Sequence, residues 1–211
     1  RAPAARKLRI DYESLRALKP DLVYCHTSSY GPRGPRADWP GYDQLFQACS
    51  GWEVAGGGPG NAPIWHRMGM MDHQNAFASL FATLLALREK ERSGRGQFLK
   101  ASILGAAVLT ASELFLRADG SLPDFPGVDA AQTGISPAYR IYEVADGWVA
   151  LAALGDVRMQ RLLGVAGVRA AEELERALRP RKQAELLAAL ERAGVPCEAV
   201  RSGQEQEFFE R

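Results

Sequence analysis

The longest periodic pattern of apolar residues in the chain lies between residues 72 and 92. Apolar side chains recur there at i, i+3, i+4, i+7 and i+8, the spacing that places them on one face of an α-helix. They are Phe77, Leu80, Phe81, Leu84 and Leu85. Charged residues follow at 89–92, and the sequence SGRG at 93–96 contains the glycines that commonly end a helix. The pattern therefore predicts a long amphipathic helix over 72–92.

Shorter elements are predicted ahead of this helix. Asp11 is a preferred helix N-cap, and Pro20 ends the segment that follows it. The apolar, β-branched residues from Leu22 onward indicate a buried strand that leads into a loop rich in proline and glycine. The predicted order is a helix at 11–19, a strand at 22–30, an irregular loop at 31–43, a helix at 43–53 that Gly51 ends, and a turn region at 54–63.

The chain changes in character after residue 120. Two apolar runs within 139–154 flank Asp146-Gly147, a dipeptide typical of tight hairpin turns. The remaining predictions are a strand at 97–104, helices at 105–118, 156–167 and 182–194, and a strand at 195–202. This order of helices and strands predicts an α/β protein with a first domain at 1–122, a linker at 123–137 and a second domain at 138–211.

Composition narrows the class of protein. Of the 211 residues, 46% are hydrophobic and 24% are charged, and the formal net charge is +1. These values are ordinary for a globular protein and give no field that would attract nucleic acid or a membrane surface. The sequence contains no run of about 18 apolar residues, so no membrane span is predicted. Its first residues lack the apolar core of a signal peptide.

The cysteines and histidines predict neither a disulfide framework nor a metal site. Cys25, Cys49 and Cys197 are odd in number and form no CxxC pair, which favours a reducing, cytoplasmic setting. The three histidines lack the spacing of zinc ligands. No metal is therefore expected.

Several stretches resemble the family III CoA-transferases, a family that also includes the α-methylacyl-CoA racemases. LKPDLVYCHTSSYGPRGPRADWPGYDQLFQACSG, at 18–51, is similar to the family's strand, its G-x-x-GP loop, its PGYD or GHD motif and the helix after it. Residues 72–76 stand at the D-x-x-x-G that opens a long helix, and RSGRGQ at 92–97 is similar to RxxTGxGQ. YRIYEVADGWVALAAL at 139–154 and AGVPCEAV at 193–200 resemble parts of the family's small domain. The ordered set covers nearly the whole chain.

The resemblance implies a fold of two domains. It predicts a Rossmann-like large domain, incomplete at its N-terminus, and a small α+β domain, of the type that forms an interlocked homodimer. Arg1 falls at the arginine of the family's FRPG motif, and Ala2 replaces its proline. The chain is then expected to match the middle of the family fold, without an N-terminal portion and a C-terminal return segment.

The resemblance also implies that Asp72 is a catalytic nucleophile. Such an aspartate attacks an acyl-CoA thioester to give a mixed anhydride. The released CoA thiolate converts the anhydride to an aspartyl-CoA thioester, from which the acceptor carboxylate takes the CoA. A carboxylate suits this work because its acyl products stay reactive, and a helix N-terminus would keep it ionised and donate N–H groups to developing oxyanions. The alternative is that Asp72 is only the N-cap of the predicted helix.

Tyr42 bears on the choice between transfer and racemisation. The racemases carry histidine at this position, where it moves the α-proton of the acyl-CoA together with the aspartate. An unperturbed tyrosine has a pKa of about 10, so Tyr42 favours transfer. Without chemistry, Tyr42 would be an aromatic packing residue and Asp43 the N-cap of the next helix. His73 stands where the family usually has an apolar residue and is expected to face solvent.

The acyl-CoA substrate carries phosphates and an adenine, which need cationic and loop residues to bind them. The residues predicted to bind coenzyme A are Arg1, Tyr42, Asp43, Arg67 and Gly134, with Arg36 and Lys100 as weaker candidates. Gly134 lies near the place where the family has a glycine-rich loop that closes over the aspartate, but no glycine run occurs here.

Three functions remain open from the sequence. The first is transfer of CoA between an acyl-CoA and a carboxylic acid through Asp72. The second is an acyl-CoA racemase or isomerase, which Tyr42 disfavours. The third is a catalytically silent CoA-binding or dimerisation module, which fits the missing glycine run. The expected partners are an acyl-CoA, a carboxylic acid and a second copy of the chain.

Overall fold

The structure is a computed structural model that describes residues 2–114, 116–121 and 123–201. It divides into two compact units. The first comprises the residues up to Ala55 together with Pro63–Phe125, and the second comprises Gly56–Ala62 and the residues from Pro126 onward. The chain is a mixed α/β protein with one parallel and one antiparallel sheet among the described residues.

The first unit is built on a parallel pair of strands. These strands are β1 (Val23–Ser28) and β2 (Gln97–Ser102). The helices around them are α1 (Ala2–Lys7), α2 (Tyr12–Leu18), α3 (Asp43–Cys49), α4 (Trp52–Gly57), α5 (Met70–Ser93) and α6 (Ile103–Thr110), followed by a 3-10 turn at Ser112–Leu114. The connection from β1 to β2 passes through α3, α4 and α5, the long crossover that parallel strands require.

Helix α5 packs its small and polar side on the sheet. Its buried residues are Met71, Asn75 and Ala86, and Ser79 Oγ lies 3.2 Å from Thr27 Oγ1 on β1. The apolar stripe that the sequence predicts is present on this helix, but its five side chains are 53–67% exposed. The stripe is therefore not the core-facing side of α5 within the described residues.

The second unit is an antiparallel sheet in the order β3-β4-β5-β6. Its strands are β3 (Gly134–Ser136), β4 (Tyr139–Val144), β5 (Gly147–Ala152) and β6 (Cys197–Ala199), and its helices are α7 (Asp156–Ala166), α8 (Leu174–Leu178) and α9 (Gln183–Arg192). Side chains from the sheet and the three helices form one buried core that includes Tyr142, Val149, Leu162, Leu174 and Leu186. Burial of such side chains is the main source of stability for a unit of this size.

Most of the predicted elements are confirmed, with errors in their bounds, but α1, α8 and β3 are not among the predictions. The turn predicted for 54–63 is wrong over its first residues, because α4 continues to Gly57. The helix predicted for 105–118 begins at Ile103 and ends at Thr110. The final strand is shorter than predicted, at Cys197–Ala199. No helix in the described part of the chain has the length and apolarity needed to span a bilayer.

Candidate active site

Asp72 is the third residue of α5 and lies at the surface. The N-cap of the helix is Gly69, which has no side chain to cap it. Asp72 is therefore not the N-cap, and its carboxylate accepts no hydrogen bond from any residue that the structure describes. A carboxylate in the first helical turn without a partner of its own is free to meet a ligand.

The cap of α5 comes from another helix. Asp43, the first residue of α3, is buried with 6% of its surface exposed. Its Oδ2 accepts a hydrogen bond of 2.7 Å from the backbone N–H of Asp72. The carboxylate lies close to the backbone of Gly69, where a Cβ would be in ordinary contact with Asp43 Oδ2 at 3.4 Å. The carboxylate thus satisfies one of the free N–H groups at the start of the helix.

Gln47 fixes the buried carboxylate from the next turn of α3. Its side chain is fully buried, and its Nε2 donates to Asp43 Oδ1 and, at 3.0 Å, to the carbonyl oxygen of Met68. Gln44 Nε2 donates in the same way to the carbonyl oxygen of His66. These contacts tie the loop ahead of α5 to α3, so the helix that carries Asp43 also sets where Asp72 lies.

Burial and charge act together on Asp72. Partial burial raises the pKa of its carboxyl above the ordinary value, the negative charge of Asp43 raises it further, and His73 opposes the shift. Burial disfavours the charged form because it removes solvation, and a like charge nearby adds repulsion. The shift runs against the effect expected of a helix N-terminus, which favours a negative charge. It makes Asp72 a more basic carboxylate than an ordinary surface aspartate.

A small apolar cluster lies under this site. Phe46 and Met71 are fully buried and pack with Ala107, and the Phe46 ring lies 4.8 Å from the Tyr30 ring between centroids. A Cβ on Gly41 would lie 2.6 Å from the Phe46 ring, so glycine is required at that point of the PGYD sequence. The cluster thus holds Phe46 of α3 against Met71, the second residue of α5.

Tyr42 and His73 flank the Asp43–Asp72 contact. Tyr42 is 72% exposed, so packing within the described chain does not account for it. His73 is also exposed, and its Nδ1 lies 2.6 Å from the carbonyl oxygen of Gly69. That contact points the ring back along the helix. The expectation that His73 faces solvent agrees with its exposure.

The other predicted binding residues lie in different places. Arg1 is outside the described residues. Arg67 is exposed in the loop before α5. Gly134 lies in the second unit as the first residue of β3, opposite Arg140 on β4, where a Cβ would overlap the Cβ of Arg140. The structure thus brings Asp72, Asp43 and Tyr42 together, and it gives Gly134 a role in strand pairing.

The first unit contains a cavity of about 630 Å³ on the face of the β1–β2 pair that carries Tyr24 and Phe98. Tyr12 stacks on Phe98 with 4.8 Å between ring centroids and 11° between planes. Lys100 and His26 face the same cavity; burial and the charge of Lys100 lower the pKa of His26. The lining thus combines aromatic faces with charges of both signs, because Asp11, Glu13 and Asp38 line it together with Arg6 and Lys100. Asp72 is outside this lining.

Sequence reasoning missed the aromatic side of this cavity. Tyr24 and His26 on β1, and Phe98 and Lys100 on β2, are two residues apart and so point to one face of their strands. This alternation is visible in the sequence and is the signal that identifies them. Arg36, in contrast, lies over the rings of Tyr30 and Trp39.

Comparisons with known proteins point to one family. The profile of a family described as CoA-transferase family III matches residues 1–208. A succinate–glutarate CoA-transferase of Agrobacterium fabrum is 35% identical over 172 residues, which cover 81% of this chain and 42% of that protein. The alpha subunit of a succinyl-CoA–L-malate CoA-transferase of Chloroflexus aurantiacus is 31% identical over 157 residues, covering 72% of this chain and 36% of that subunit. The chain therefore spans less than half the length of either relative.

Solved structures share the fold. A CAIB/BAIF family protein from Brucella suis has a TM-score of 0.78 at 24% identity and covers 100% of this chain and 60% of its own. A hypothetical protein from Mycobacterium tuberculosis has a TM-score of 0.78 at 22% identity and covers 99% and 62%. Both comparisons concern the mixed α/β architecture.

Proposed function

The chain belongs to CoA-transferase family III, and from this premise we propose that its protein transfers coenzyme A between an acyl-CoA and a carboxylic acid through Asp72. The observation that carries the proposal is the position of Asp72. This carboxylate is exposed in the first turn of α5, has its backbone held by Asp43, and stands at the aspartate of the motif that resembles the family's nucleophile.

The proposed chemistry needs no proton transfer. The Asp72 carboxylate attacks the acyl carbonyl carbon, the C–S bond breaks, and CoA leaves as the thiolate. The thiolate attacks the Asp72 carbonyl of the mixed anhydride and releases the first acid as its carboxylate. The acceptor carboxylate then attacks the Asp72–CoA thioester, and the CoA thiolate returns to the acceptor's carbonyl, which regenerates Asp72. A carboxylate of raised basicity favours the first attack.

We propose that the cavity of the first unit receives the adenine and phosphate end of CoA. Its volume of about 630 Å³ lies within the range of ligand pockets. The stacked rings of Tyr12 and Phe98 offer a surface for adenine, and Lys100 offers a charge for phosphate. Ile103 lines the cavity and also packs on the Phe46–Met71 cluster. The cavity therefore adjoins the cluster that supports the first turn of α5.

The relatives suggest the class of acid. Their names give succinate, glutarate, succinyl-CoA and L-malate as substrates. We therefore propose short dicarboxylic acids as acceptors and succinyl-CoA as the first donor to test. Tyr42 supports transfer over racemisation, because a tyrosine stands where the racemases that the chain resembles carry their histidine.

Trapping tests this function. We expect the full-length protein, incubated with succinyl-CoA and hydroxylamine, to carry a hydroxamate at Asp72 when its peptides are examined by mass spectrometry. Asp156, also in the first turn of a helix, should stay unmodified in the same digest. An unmodified Asp72 together with exchange of the α-hydrogen of a 2-methylacyl-CoA in deuterated water would support a racemase. If neither the hydroxamate nor the exchange is observed, the result would support a silent binding module.

The proposed assembly is the family's interlocked homodimer, with a Rossmann-like large domain and a small α+β domain, in the cytoplasm. The exposed apolar stripe of α5 supports the association of two chains, because single exposed apolar residues are normal on a protein surface but a continuous apolar stripe is not. We expect light scattering of the full-length protein to give twice the mass of one chain. A monomer at micromolar concentration would contradict this assembly.

A further inference from the structure

The contact between Asp43 and α5 differs from an ordinary helix cap in the number of residues that separate the acceptor from the helix. Ordinary caps come from the residue just before the helix. Asp43, in contrast, lies 29 residues before Asp72, whose backbone N–H donates the hydrogen bond to it. Gly69 occupies the capping position without a capping group. The start of α5 therefore depends on a buried carboxylate from α3 rather than on its own sequence.

A buried carboxylate at this place is costly unless its oxygens are satisfied. Both oxygens of Asp43 accept hydrogen bonds, Oδ2 from the Asp72 backbone and Oδ1 from Gln47. Neither donor is charged. The negative charge thus remains uncompensated by any ion pair in the described residues. A carboxylate is nevertheless suited to this place, because it accepts from both donors, whereas an asparagine has only one acceptor oxygen.

The charge lies beside the carboxylate that the proposed function uses. Among the residues that the structure describes, the charged groups that act on Asp72 are Asp43 from α3 and His73 from α5 itself, and they act in opposite directions. The exposed Arg67 of the preceding loop has no contact with Asp72 in the structure. Asp43 is thus the group that both fixes the backbone of Asp72 and acts on its carboxylate.

We propose that Asp43 is a positioning residue for Asp72, which holds the backbone of the nucleophile and keeps a negative charge next to its carboxylate. The inference rests on the proposed function of Asp72. Gln47 assists by orienting Asp43 and by binding the Met68 carbonyl. The consequence is that the acidic limb of the activity profile, where Asp72 gains its proton, lies at higher pH than an isolated aspartate would give.

The sign of the effect follows from the charge. Asp43→Asn removes the repulsion that disfavours ionised Asp72, so the pKa of Asp72 falls and the acidic limb of kcat/KM moves to lower pH. Asp43→Glu keeps the charge but lengthens the side chain, so its limb stays near that of the wild type while kcat falls. Misplacement of a reacting group costs on the order of 10- to 100-fold. A purely structural role would change kcat or stability but leave the limb where it is.

A second measurement reads the same carboxyl without any activity. Labelling of Asp72 by a carbodiimide and glycine ethyl ester, followed by mass spectrometry across pH, gives a midpoint in the full-length protein. We expect the midpoint of Asp43→Asn to lie below that of the wild type and that of Asp43→Glu to coincide with it. Glu113→Gln, which removes an exposed charge of the same unit, serves as the control and should leave both readouts unchanged.

The outcomes separate the two proposals. Equal labelling midpoints for the wild type and Asp43→Asn would overturn the role of Asp43. The same conclusion would follow if the midpoint of Asp43→Glu shifted as far as the midpoint of Asp43→Asn. A shifted midpoint in a protein that gives no hydroxamate at Asp72 would instead support the role of Asp43 and remove the transferase assignment. Circular dichroism confirms that each variant is folded at the pH values compared.

Discussion

Asp72→Ala in the full-length protein is expected to lower kcat for CoA transfer by about 10³- to 10⁶-fold, the range seen when a nucleophile is removed. Without the carboxylate neither the anhydride nor the aspartyl thioester can form. The loss should appear in kcat and in kcat/KM alike, because the interaction that is removed is made in the transition state. A coupled assay with succinyl-CoA and glutarate measures it. A variant that keeps activity within tenfold would exclude Asp72 as the nucleophile.

Stability separates this loss from misfolding. The pKa of Asp72 is raised in the folded protein, so ionising it costs folding free energy, and this cost is fully present at pH values above the folded pKa. Asp72→Asn removes the charge, and we expect its Tm at neutral pH to equal or slightly exceed that of the wild type. Asp156→Asn is the matched control, because Asp156 is also exposed in the first turn of a helix; it should keep full activity.

The start of α5 shows where local sequence is insufficient. The apolar period predicts the helix, and its C-terminal end agrees with Gly94 in the left-handed conformation at φ 71°. The N-terminal end lies at Met70, ahead of the predicted residue 72, because the capping carboxylate comes from Asp43 in another helix. A contact across the fold cannot be inferred from the residues around residue 70. In contrast, α2 begins where the sequence predicts, because Asp11 accepts the hydrogen bond from Ser14 N–H locally.

The glycines at 56–58 led to a wrong prediction of a turn, because α4 includes the first two of them. Gly51 ends α3 with a φ of 80°, as predicted, but the chain enters α4 at the next residue. Trp52 packs on the Phe46 cluster, and this burial offsets the low helix propensity of the glycines at 56–57. Tertiary packing thus outweighs local preference, and the sequence-based turn fails there.

Some features of the candidate site can be predicted from local sequence, and others depend on tertiary packing. Asp72 can be singled out as a candidate from the sequence alone, because the motif around it resembles that of a family with an aspartate nucleophile; its role stays a prediction. The pairing of Asp43 with Gln47 was also accessible, since residues four apart share a helix face. The hydrogen bond from Asp43 to Asp72 was not, because it depends on how α3 and α5 pack. The direction of the apolar stripe on α5 was unpredictable for the same reason: periodicity gives a face but not what covers it.

Phe46→Ala is expected to destabilise the protein by about 3–5 kcal/mol, the usual cost of emptying a buried aromatic site. Phe46 is fully buried among Met71, Ala107 and Tyr30, and the backbone at Gly41 lies against its ring. The cluster is small, so few neighbours can move into the space. Urea denaturation of the full-length protein measures the loss, and Phe125→Ala, at a phenylalanine that is 58% exposed, provides the comparison and should cost less than about 1 kcal/mol.

The same substitution tests whether packing supports the chemistry. Phe46 follows Asp43 by one turn of α3, and its neighbour Met71 directly precedes Asp72. A cavity between them loosens the hydrogen bond that holds the start of α5, so kcat should fall even at temperatures where Phe46→Ala is fully folded. Phe46→Leu retains much of the side-chain volume and should lose less of both stability and kcat. Full activity in folded Phe46→Ala would show that the first turn of α5 holds Asp72 without support from this cluster.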